Sequence, residues 1–357
     1  MTQSSGTGRP PFSPIVDNER SLTRLSTPFS ARSFEPFAVT LQQFKDEYEL
    51  LEILDRGTFS LVRKAMIRST GELVAVKVGS WIIEDDAGDR LASTHPLTQS
   101  SLPRLQVVDT TNFAAAEGIV QRELDAFAVV RHAHCIDMRA YCRHLNHVYI
   151  IVSLAKGEVL VDWLQEKKQC TEMEAAIIIH AIFQGVSYLH SNKIVHRDLK
   201  LDNMMFDRPG DITTLKILDY GFSKVLQGAG DVLTTVCGSP QYVAPEILAL
   251  TMGSSAGLQV IPYTYAVDAW SIGVIMYMLI AGYAPFEDDD EVVMFQDIIR
   301  GEFSFPSNPW DSVSQEAKDL ICALLTVNPA RRMDVAQALE SPFIKKYASL
   351  YGLPGQG

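Results

Sequence analysis

The sequence contains few cysteines and no long apolar run, and both absences exclude classes of protein. Its 5 Cys among 357 residues are odd in number and scattered, which argues against a disulfide framework and indicates a reducing compartment. The longest apolar run, residues 271–281, falls short of the roughly 20 residues that span a bilayer and is interpreted as a buried core helix. The N-terminus has neither an apolar signal-peptide core nor a glycine at position 2 for myristoylation. We therefore expect a protein of the cytoplasm, the nucleus or both, without a membrane partner.

Positive charge is scarce as well. With 31 Lys and Arg against 43 Asp and Glu, the formal net charge of -12 disfavours adhesion to nucleic acid, so no nucleic-acid partner is expected. An acidic protein suits basic partners, although most acidic proteins are simply soluble. The hydrophobic fraction of 47% and the charged fraction of 21% predict a folded globular protein, and the length allows two lobes that each bury a core.

The chain is predicted to have a tail followed by two halves of different character. Residues 1–45 are rich in Ser, Thr, Pro and Arg without periodicity, so a disordered tail is expected. Residues 46–154 carry short β-type runs, one helical stretch and a polar inserted loop at about 84–113. Residues 155–346 are mainly helical, and 347–357 form a short second tail. This order predicts the α+β class, with a small antiparallel β-rich lobe followed by a larger helical lobe.

Hydrophobic periodicity and turn signals define the individual elements. Strands are predicted at residues 48–54, 60–67, 72–78, 136–142 and 147–154, and the main helices at 114–131, 172–190 and 267–282. Residues 132–135 and 142–147 are rich in His and Cys, which raises zinc as an alternative. Their spacing matches no common zinc pattern, and residues of strands and turns explain them, so we favour the structural interpretation.

Residues 194–206, IVHRDLKLDNMMF, gather a carboxylate, an ammonium group and an amide in Asp198, Lys200 and Asn203. Further along, LKILDYGFSK places Asp219 at the end of a β-type run. With these motifs in this order, the chain resembles a eukaryotic protein kinase. The resemblance implies the bilobal protein-kinase fold, phosphate transfer from ATP to protein substrates, and Mg²⁺ bound by Asn203 and Asp219. Carboxylate and amide oxygens are hard donors, which suit magnesium.

The resemblance covers about residues 46–345 and assigns further roles to matching positions. Lys77 of VAVK would hold the α- and β-phosphates, and Glu123 of RELDAF would pair with that lysine and orient it. Asp198 would be the catalytic base, with Lys200 near the γ-phosphate. Nucleotide contacts are implied for Leu54, Gly57, Val62, Ala75, Lys77, Val152, Leu154, Glu158 and Met205.

The glycine loop LDRGTFSLV departs from the family pattern, because only Gly57 stands at a glycine position and Asp55 and Ser60 take the other two. Gly57 is the position where a side chain would most obstruct backbone N–H groups that approach the phosphates. A carboxylate at Asp55 is mildly repulsive to a triphosphate unless it points outward. The alternative function is a pseudokinase scaffold, which predicts the loss of a phosphate, base or metal residue. None is lost, so the active enzyme is favoured.

Other positions indicate the branch of the family. Lys200 and Ser239, the latter in CGSPQYVAPE, are residues that resemble those of serine/threonine kinases at the same positions. The motif sequences as a whole look most like those of the calcium/calmodulin-dependent and AMP-activated group. Phe222, directly after DYG, favours serine over threonine as acceptor in relatives. Arg332 of NPARRM is expected to form a structural ion pair with Glu246 of the APE motif.

Substrate preference is suggested by two acidic positions. Glu158 matches a position that contacts the ribose and, in some relatives, an arginine before the acceptor, and Asp202 could assist, so substrates with basic residues before the acceptor are expected. The alternative is that both are solvated carboxylates. The acidic run 287–291 precedes a predicted helix, and stabilisation of that helix is favoured over a docking role.

Regulation is implied by the segment between DYG and APE. Thr235 aligns with the activating phosphosite of relatives, and Arg197, beside the catalytic base, could grip a phosphate there, so an upstream activating kinase is a further expected partner. The alternative is an ordinary loop threonine and an arginine that binds backbone carbonyls. The short segment after the kinase resemblance leaves no room for a basic amphipathic helix, so direct calmodulin control is not expected.

Overall fold

The computed structural model describes residues 37–56, 60–80, 113–144, 147–226, 239–249 and 264–352. Most of the predicted N-terminal tail and of the inserted loop lies outside these residues, as do Gly57 and Thr235. Packing divides the described residues into two units. The first unit contains the described residues up to Ser80 together with Met138–Val152, and the second contains the remainder.

The first unit is built on a five-stranded sheet with the strand order β1-β2-β3-β5-β4. Its strands are β1 (Tyr48–Arg56), β2 (Ser60–Ile67), β3 (Leu73–Ser80), β4 (Met138–His144) and β5 (His147–Ser153). β1 with β2 and β2 with β3 pair antiparallel, as the turn signals between them predict, and β4 also pairs antiparallel with β5. Alternate residues of β3, Val74 and Val76, are fully buried in the core of this unit, so the sheet has one face on a core.

A short helix, α1 (Leu41–Glu47), precedes the sheet. It overlaps the end of the tail predicted at residues 1–45, so this boundary is placed too late in the chain. Thr40 caps it and forms a capping box with Gln43, and Phe44 is buried against the sheet. Residues 37–45 are therefore ordered, because one apolar side chain and a satisfied helix N-terminus fix them. A seven-residue helix shows too little periodicity to be found by pattern alone.

The second unit is mainly helical. Its helices are α2 (Phe113–Val129), α3 (Leu160–Lys167), α4 (Glu172–Ser191), α5 (Ala266–Ala281), α6 (Glu291–Arg300), α7 (Ser307–Trp310), α8 (Gln315–Leu324), α9 (Val335–Leu339) and α10 (Pro342–Tyr351), and a further helical segment begins at Pro245. Short strands β6 (Ile194–Val195), β7 (Met204–Phe206), β8 (Leu215–Ile217) and β9 (Lys224–Val225) pair as β6 with β9 and β7 with β8.

Helix α5 is buried almost throughout, as its uniformly apolar sequence predicts. It ends at Gly282, whose φ of 80° and whose close approach to the carbonyl oxygen of Lys168 leave no room for a Cβ atom. In the described part of the chain, no helix is both long and apolar enough to cross a bilayer.

The α+β class and the protein-kinase arrangement of a β-rich part followed by a helical part are confirmed. Helix α6 is also present as predicted, and Asp290 of the acidic run caps it by accepting a hydrogen bond from the backbone N–H of Val292. Helix α2 packs with the second unit, although the sequence groups it with the β-rich half. Its buried residues, among them Phe127, contact the segment that follows β8. The predicted boundary at residues 154 and 155 stays a prediction.

The His-rich segment lies between α2 and β4. His134 Nδ1 lies 2.8 Å from the carbonyl oxygen of Leu215, and the His132 ring stacks on Tyr188 with centroids 5.0 Å apart. Burial lowers the pKa of His134 and of His180, and His134 adds to the shift of His180 by charge repulsion. Among the described residues, His, Cys, Asp and Glu form no group of three that could hold a metal ion.

This cluster predicts a loss of stability in mild acid. Burial, the neighbouring His134 and the charge of Lys216 also lower the pKa of His132, so the folded protein resists protonation at His132, His134 and His180. Unfolded histidines take up protons near their ordinary value of 6.5, so the free energy of unfolding should fall as pH drops below that value. Urea unfolding between pH 7.5 and pH 5.5 measures the effect.

His134→Gln should make this pH dependence shallower, because it removes one of the three histidines whose pKa is lowered in the folded protein. An identical pH slope in wild type and His134→Gln would show that the cluster does not titrate as described.

Candidate active site

The segment between β6 and β7 is held by a buried carboxylate in the first turn of α5. Asp268 accepts hydrogen bonds from the backbone N–H groups of His196 at 2.9 Å and Arg197 at 2.8 Å. Burial acts to raise the pKa of Asp268, but the hydrogen bond and charge of His190, the charge of His196 and the backbone hydrogen bond from Arg197 together hold that pKa below its ordinary value. Asp268 therefore stays ionised at neutral pH and fixes the loop that presents Asp198.

Three of the predicted functional side chains surround Asp198. Asn203 Nδ2 donates to the backbone oxygen of Asp198 at 2.8 Å and to its Oδ2 at 3.0 Å. Lys200 Nζ lies 3.4 Å from the same Oδ2 and donates to Ser239 Oγ at 3.0 Å. Ser239 Oγ in turn lies 3.4 Å from Asp198 Oδ1. The result is a carboxylate whose orientation is fixed by an amide, an ammonium group and a hydroxyl.

Asp219 follows β8, and the pairing of β7 with β8 brings it near Asn203 in the fold. The backbone N–H of Leu218 donates to the carbonyl oxygen of Asn203 at 2.8 Å. Asp219 has a φ of 40°, a conformation that Asp tolerates better than most residues, and its Oδ1 accepts from the N–H of Gly221 at 2.9 Å. One carboxylate and one amide on adjacent loops form an oxygen donor set that fits a magnesium ion.

The first unit carries several of the predicted nucleotide contacts on adjacent strands. Val62 on β2 stands directly opposite Lys77 on β3, Ala75 is buried on β3, and Leu54 on β1 is exposed. Val152 is buried on β5.

Two further predictions concern the binding of the phosphates, namely the orientation of Asp55 and the pairing of Lys77 with Glu123. Asp55 is exposed, and its carboxylate accepts from the N–H of Arg56, which agrees with an outward orientation. Lys77 lies in the first unit and Glu123 in the second, so their pairing stays a prediction.

The remaining predicted nucleotide contacts lie in the second unit near β7. Leu154 is half-buried and Glu158 is exposed just before α3. The backbone N–H of Phe206 donates to the carbonyl oxygen of Glu158 at 3.0 Å, and Val159 forms an isolated bridge with Met205. This pairing places Glu158 beside the strand that carries Met205.

The sequence interpretation missed a cluster of aromatic rings around Tyr220, the residue after Asp219. The ring of Tyr220 meets Phe127 of α2 edge to face at 4.8 Å and His196 at 5.8 Å. Phe127 lies one turn after Glu123, so α2 and the catalytic segment pack on the same tyrosine. The spacing of Glu123 and Phe127 at i and i+4 is the signal that could have revealed it.

Arg197 and Arg332 have structural partners. Arg197 is buried with a φ of 71°, and its Nε donates to the carbonyl oxygen of Phe222 at 2.6 Å. The predicted pair of Arg332 with Glu246 is confirmed, because Nη1 and Nη2 each donate to one carboxylate oxygen at 2.8 Å. The Arg332 guanidinium also lies over the ring of Trp270, at 5.1 Å from its centroid.

Comparison with known proteins agrees with this geometry. The model of the protein kinase domain matches residues 105–344. The chain belongs to the protein kinase family. It is 33% identical over 304 residues to human Serine/threonine-protein kinase H1, which covers 85% of this chain and 62% of that protein. It is also 33% identical over 306 residues to Calcium/calmodulin-dependent protein kinase type 1 of Macrobrachium nipponense, covering 85% of this chain and 77% of that protein.

By their names, these relatives are a serine/threonine-protein kinase and a calcium/calmodulin-dependent protein kinase, which agrees with the branch of the family that the sequence motifs predict. The chain spans 62% to 63% of the length of the serine/threonine-protein kinase H1 relatives from human and Danio rerio.

Proposed function

We propose that this protein transfers the γ-phosphate of ATP to serine hydroxyls, and less efficiently to threonine hydroxyls, of protein substrates. The observation that carries the proposal is the arrangement of Asp198 with Lys200, Asn203 and Ser239. A pseudokinase scaffold would not need to hold a buried carboxylate in a fixed orientation beside a lysine and an amide that could bind a metal. The proposed sites of action are the cytoplasm, the nucleus or both.

In the proposed mechanism, Asp198 accepts the proton of the substrate hydroxyl as the hydroxyl oxygen attacks the γ-phosphorus of ATP. The bond between this phosphorus and the oxygen that links it to ADP breaks, and ADP leaves with the bonding electrons. Lys200 neutralises negative charge that develops on the transferred group, and its contact with Ser239 links it to the segment that would bind substrate. Lys77, oriented by Glu123, would hold the α- and β-phosphates. Asn203 and Asp219 would hold Mg²⁺, which supplies charge neutralisation between the phosphates when bound. The nucleotide would also contact Leu54, Gly57, Val62, Ala75, Val152, Leu154, Glu158 and Met205.

The preferred substrates are proposed to carry arginine before the acceptor serine. Glu158 and Asp202 are both exposed, so their carboxylates are available to a basic peptide. The test uses four peptides that differ only in serine against threonine as acceptor and in arginine against alanine three residues before it. The serine peptide with arginine should have the highest kcat/KM, and Glu158→Gln should weaken the arginine preference by raising KM. Equal kcat/KM values for all four peptides would refute the proposed specificity.

Activation is proposed to involve an upstream kinase that phosphorylates Thr235, which lies outside the described residues. Arg197 supports this role because it lies next to Asp198 and already contacts the segment after DYG through Phe222. A phosphate on Thr235 would give Arg197 an anionic partner. Thr235→Ala should depress activity, and the phosphorylated wild type should lose its advantage on phosphatase treatment. If untreated, phosphatase-treated and Thr235→Ala proteins are equally active, this control does not exist.

A further inference from the structure

Tyr220 stands where this motif usually has Phe, so the chain buries a hydroxyl group that the usual residue does not have. Tyr220 is fully buried, and its Oη lies 3.3 Å from the carbonyl oxygen of Ile136 and 3.4 Å from that of Ile217. The backbone N–H of Ile136 already donates to Ile217 at 2.9 Å. Tyr220 therefore joins the segment between α2 and β4 to the end of β8 by a bond that a phenylalanine cannot make.

The Tyr220 hydroxyl is enclosed by protein, and both oxygens within its reach, those of Ile136 and Ile217, are backbone carbonyls that can only accept. The hydroxyl therefore acts as the hydrogen-bond donor. An unpaired buried donor or acceptor is costly, so the bond resists displacement of the ring.

Asp219 lies directly before Tyr220 in a tightly bonded segment. Asp219 has a positive φ, and such a conformation persists only where the surrounding structure fixes it. The backbone N–H of Ser223 donates to the carbonyl oxygen of Tyr220 at 2.9 Å, and the N–H of Gly221 donates to Asp219 Oδ1 at 2.9 Å. The side chain of Tyr220 is therefore the buried anchor nearest to Asp219 in this segment.

We propose that Tyr220 is a positioning residue, whose hydroxyl bond to Ile136 holds Asp219 in the conformation that binds the metal. The ring of Tyr220 packs against Phe127 and His196, and the hydroxyl adds a hydrogen bond to this packing. The role in metal binding rests on the proposed function, whereas the effect on the loop conformation does not.

The first test measures the loop itself, without nucleotide. Tyr220→Phe removes one oxygen and keeps the ring, and Tyr277→Phe is a matched control because the Tyr277 hydroxyl donates to the backbone of Ser304 at 2.9 Å, away from this loop. In hydrogen–deuterium exchange, Tyr220→Phe should speed exchange at Gly221 and Ser223 by about fivefold, as expected for the loss of one buried bond. Tyr277→Phe should leave exchange at these two amides as in the wild type. Unchanged exchange in Tyr220→Phe would overturn the proposal.

The second test connects the loop to the metal. The Mg²⁺ concentration for half-maximal activity should rise by up to about tenfold in Tyr220→Phe, while the KM for the peptide stays unchanged. Tyr277→Phe should keep the wild-type Mg²⁺ dependence. A wild type that transfers no phosphate, with exchange in Tyr220→Phe still increased, would refute the proposed function and leave the positioning of the loop supported. An active Tyr220→Phe with wild-type Mg²⁺ dependence would refute the link to the metal.

Discussion

Replacement of Asp198 by Asn should lower kcat for peptide phosphorylation by about 10²–10⁴-fold, the usual contribution of general-base catalysis. The amide that replaces the carboxylate cannot accept the proton of the substrate hydroxyl. The side chain keeps its shape, and Asn203 can still donate to the remaining carbonyl oxygen and to the backbone of residue 198. We therefore expect the loss in kcat, with little change in the KM for ATP.

The control for this prediction is Asp207→Asn, which makes the same chemical change on the half-buried residue after β7. It should leave kcat within the error of the wild-type value, and the melting temperatures of both variants should stay close to that of the wild type. If Asp198→Asn keeps most of its activity, the proton must go to another group and the assigned role is wrong.

Breaking the pair of Arg332 and Glu246 should have the largest effect on stability. The side chains are only 0% and 3% exposed, and Arg332 also donates to the backbone oxygens of Thr326, Ala266 and Val327. Arg332→Met would leave the Glu246 carboxylate buried without its partner, which costs about 3–5 kcal/mol. For a domain of this size, that loss corresponds to a fall in melting temperature of roughly 6–20 °C.

An exposed pair provides the comparison. Arg208 and Asp211 are 66% and 35% exposed, so Arg208→Met should cost about 0–1 kcal/mol. The double variant Glu246→Gln with Arg332→Met should be less destabilised than the sum of the two single variants, because no uncompensated charge remains buried. Urea unfolding measures the free energy of unfolding of each variant. An equal decrease in this free energy for Arg332→Met and Arg208→Met would contradict the structural role of the buried pair.

The sequence predicts the elements with strong patterns and misses those fixed by single contacts. β2 begins and ends as predicted, and α4 and α5 lie within one residue of their predicted ends, because alternation and helical periodicity extend over many residues. Helix α1 is missed because a capping box and one buried Phe44 form it, and neither produces a periodic signal. The packing of α2 with the second unit also depends on long-range contacts that no local pattern encodes.

The candidate site divides in the same way. Asp198, Lys200 and Asn203 are close in sequence, so the motif itself predicts their proximity. The contact of Ser239 with Lys200 joins positions far apart in the chain, and only the fold reveals that both touch Asp198. Asp268 is also far from the catalytic segment in sequence. Its hydrogen bonds to the backbone of His196 and Arg197 form only because the fold brings the first turn of α5 against that segment.

A single-turnover transfer experiment tests the central claim most directly. The purified chain, in excess over ATP labelled in the γ-phosphate, is mixed with MgCl₂ and a serine peptide that carries arginine three residues before the acceptor. The account predicts that label appears as phosphoserine on the peptide with the wild type, appears about 10²–10⁴-fold more slowly with Asp198→Asn, and does not appear without the divalent metal. A wild type that binds ATP yet leaves the peptide and itself unlabelled at every Mg²⁺ concentration would contradict the account and favour a scaffold.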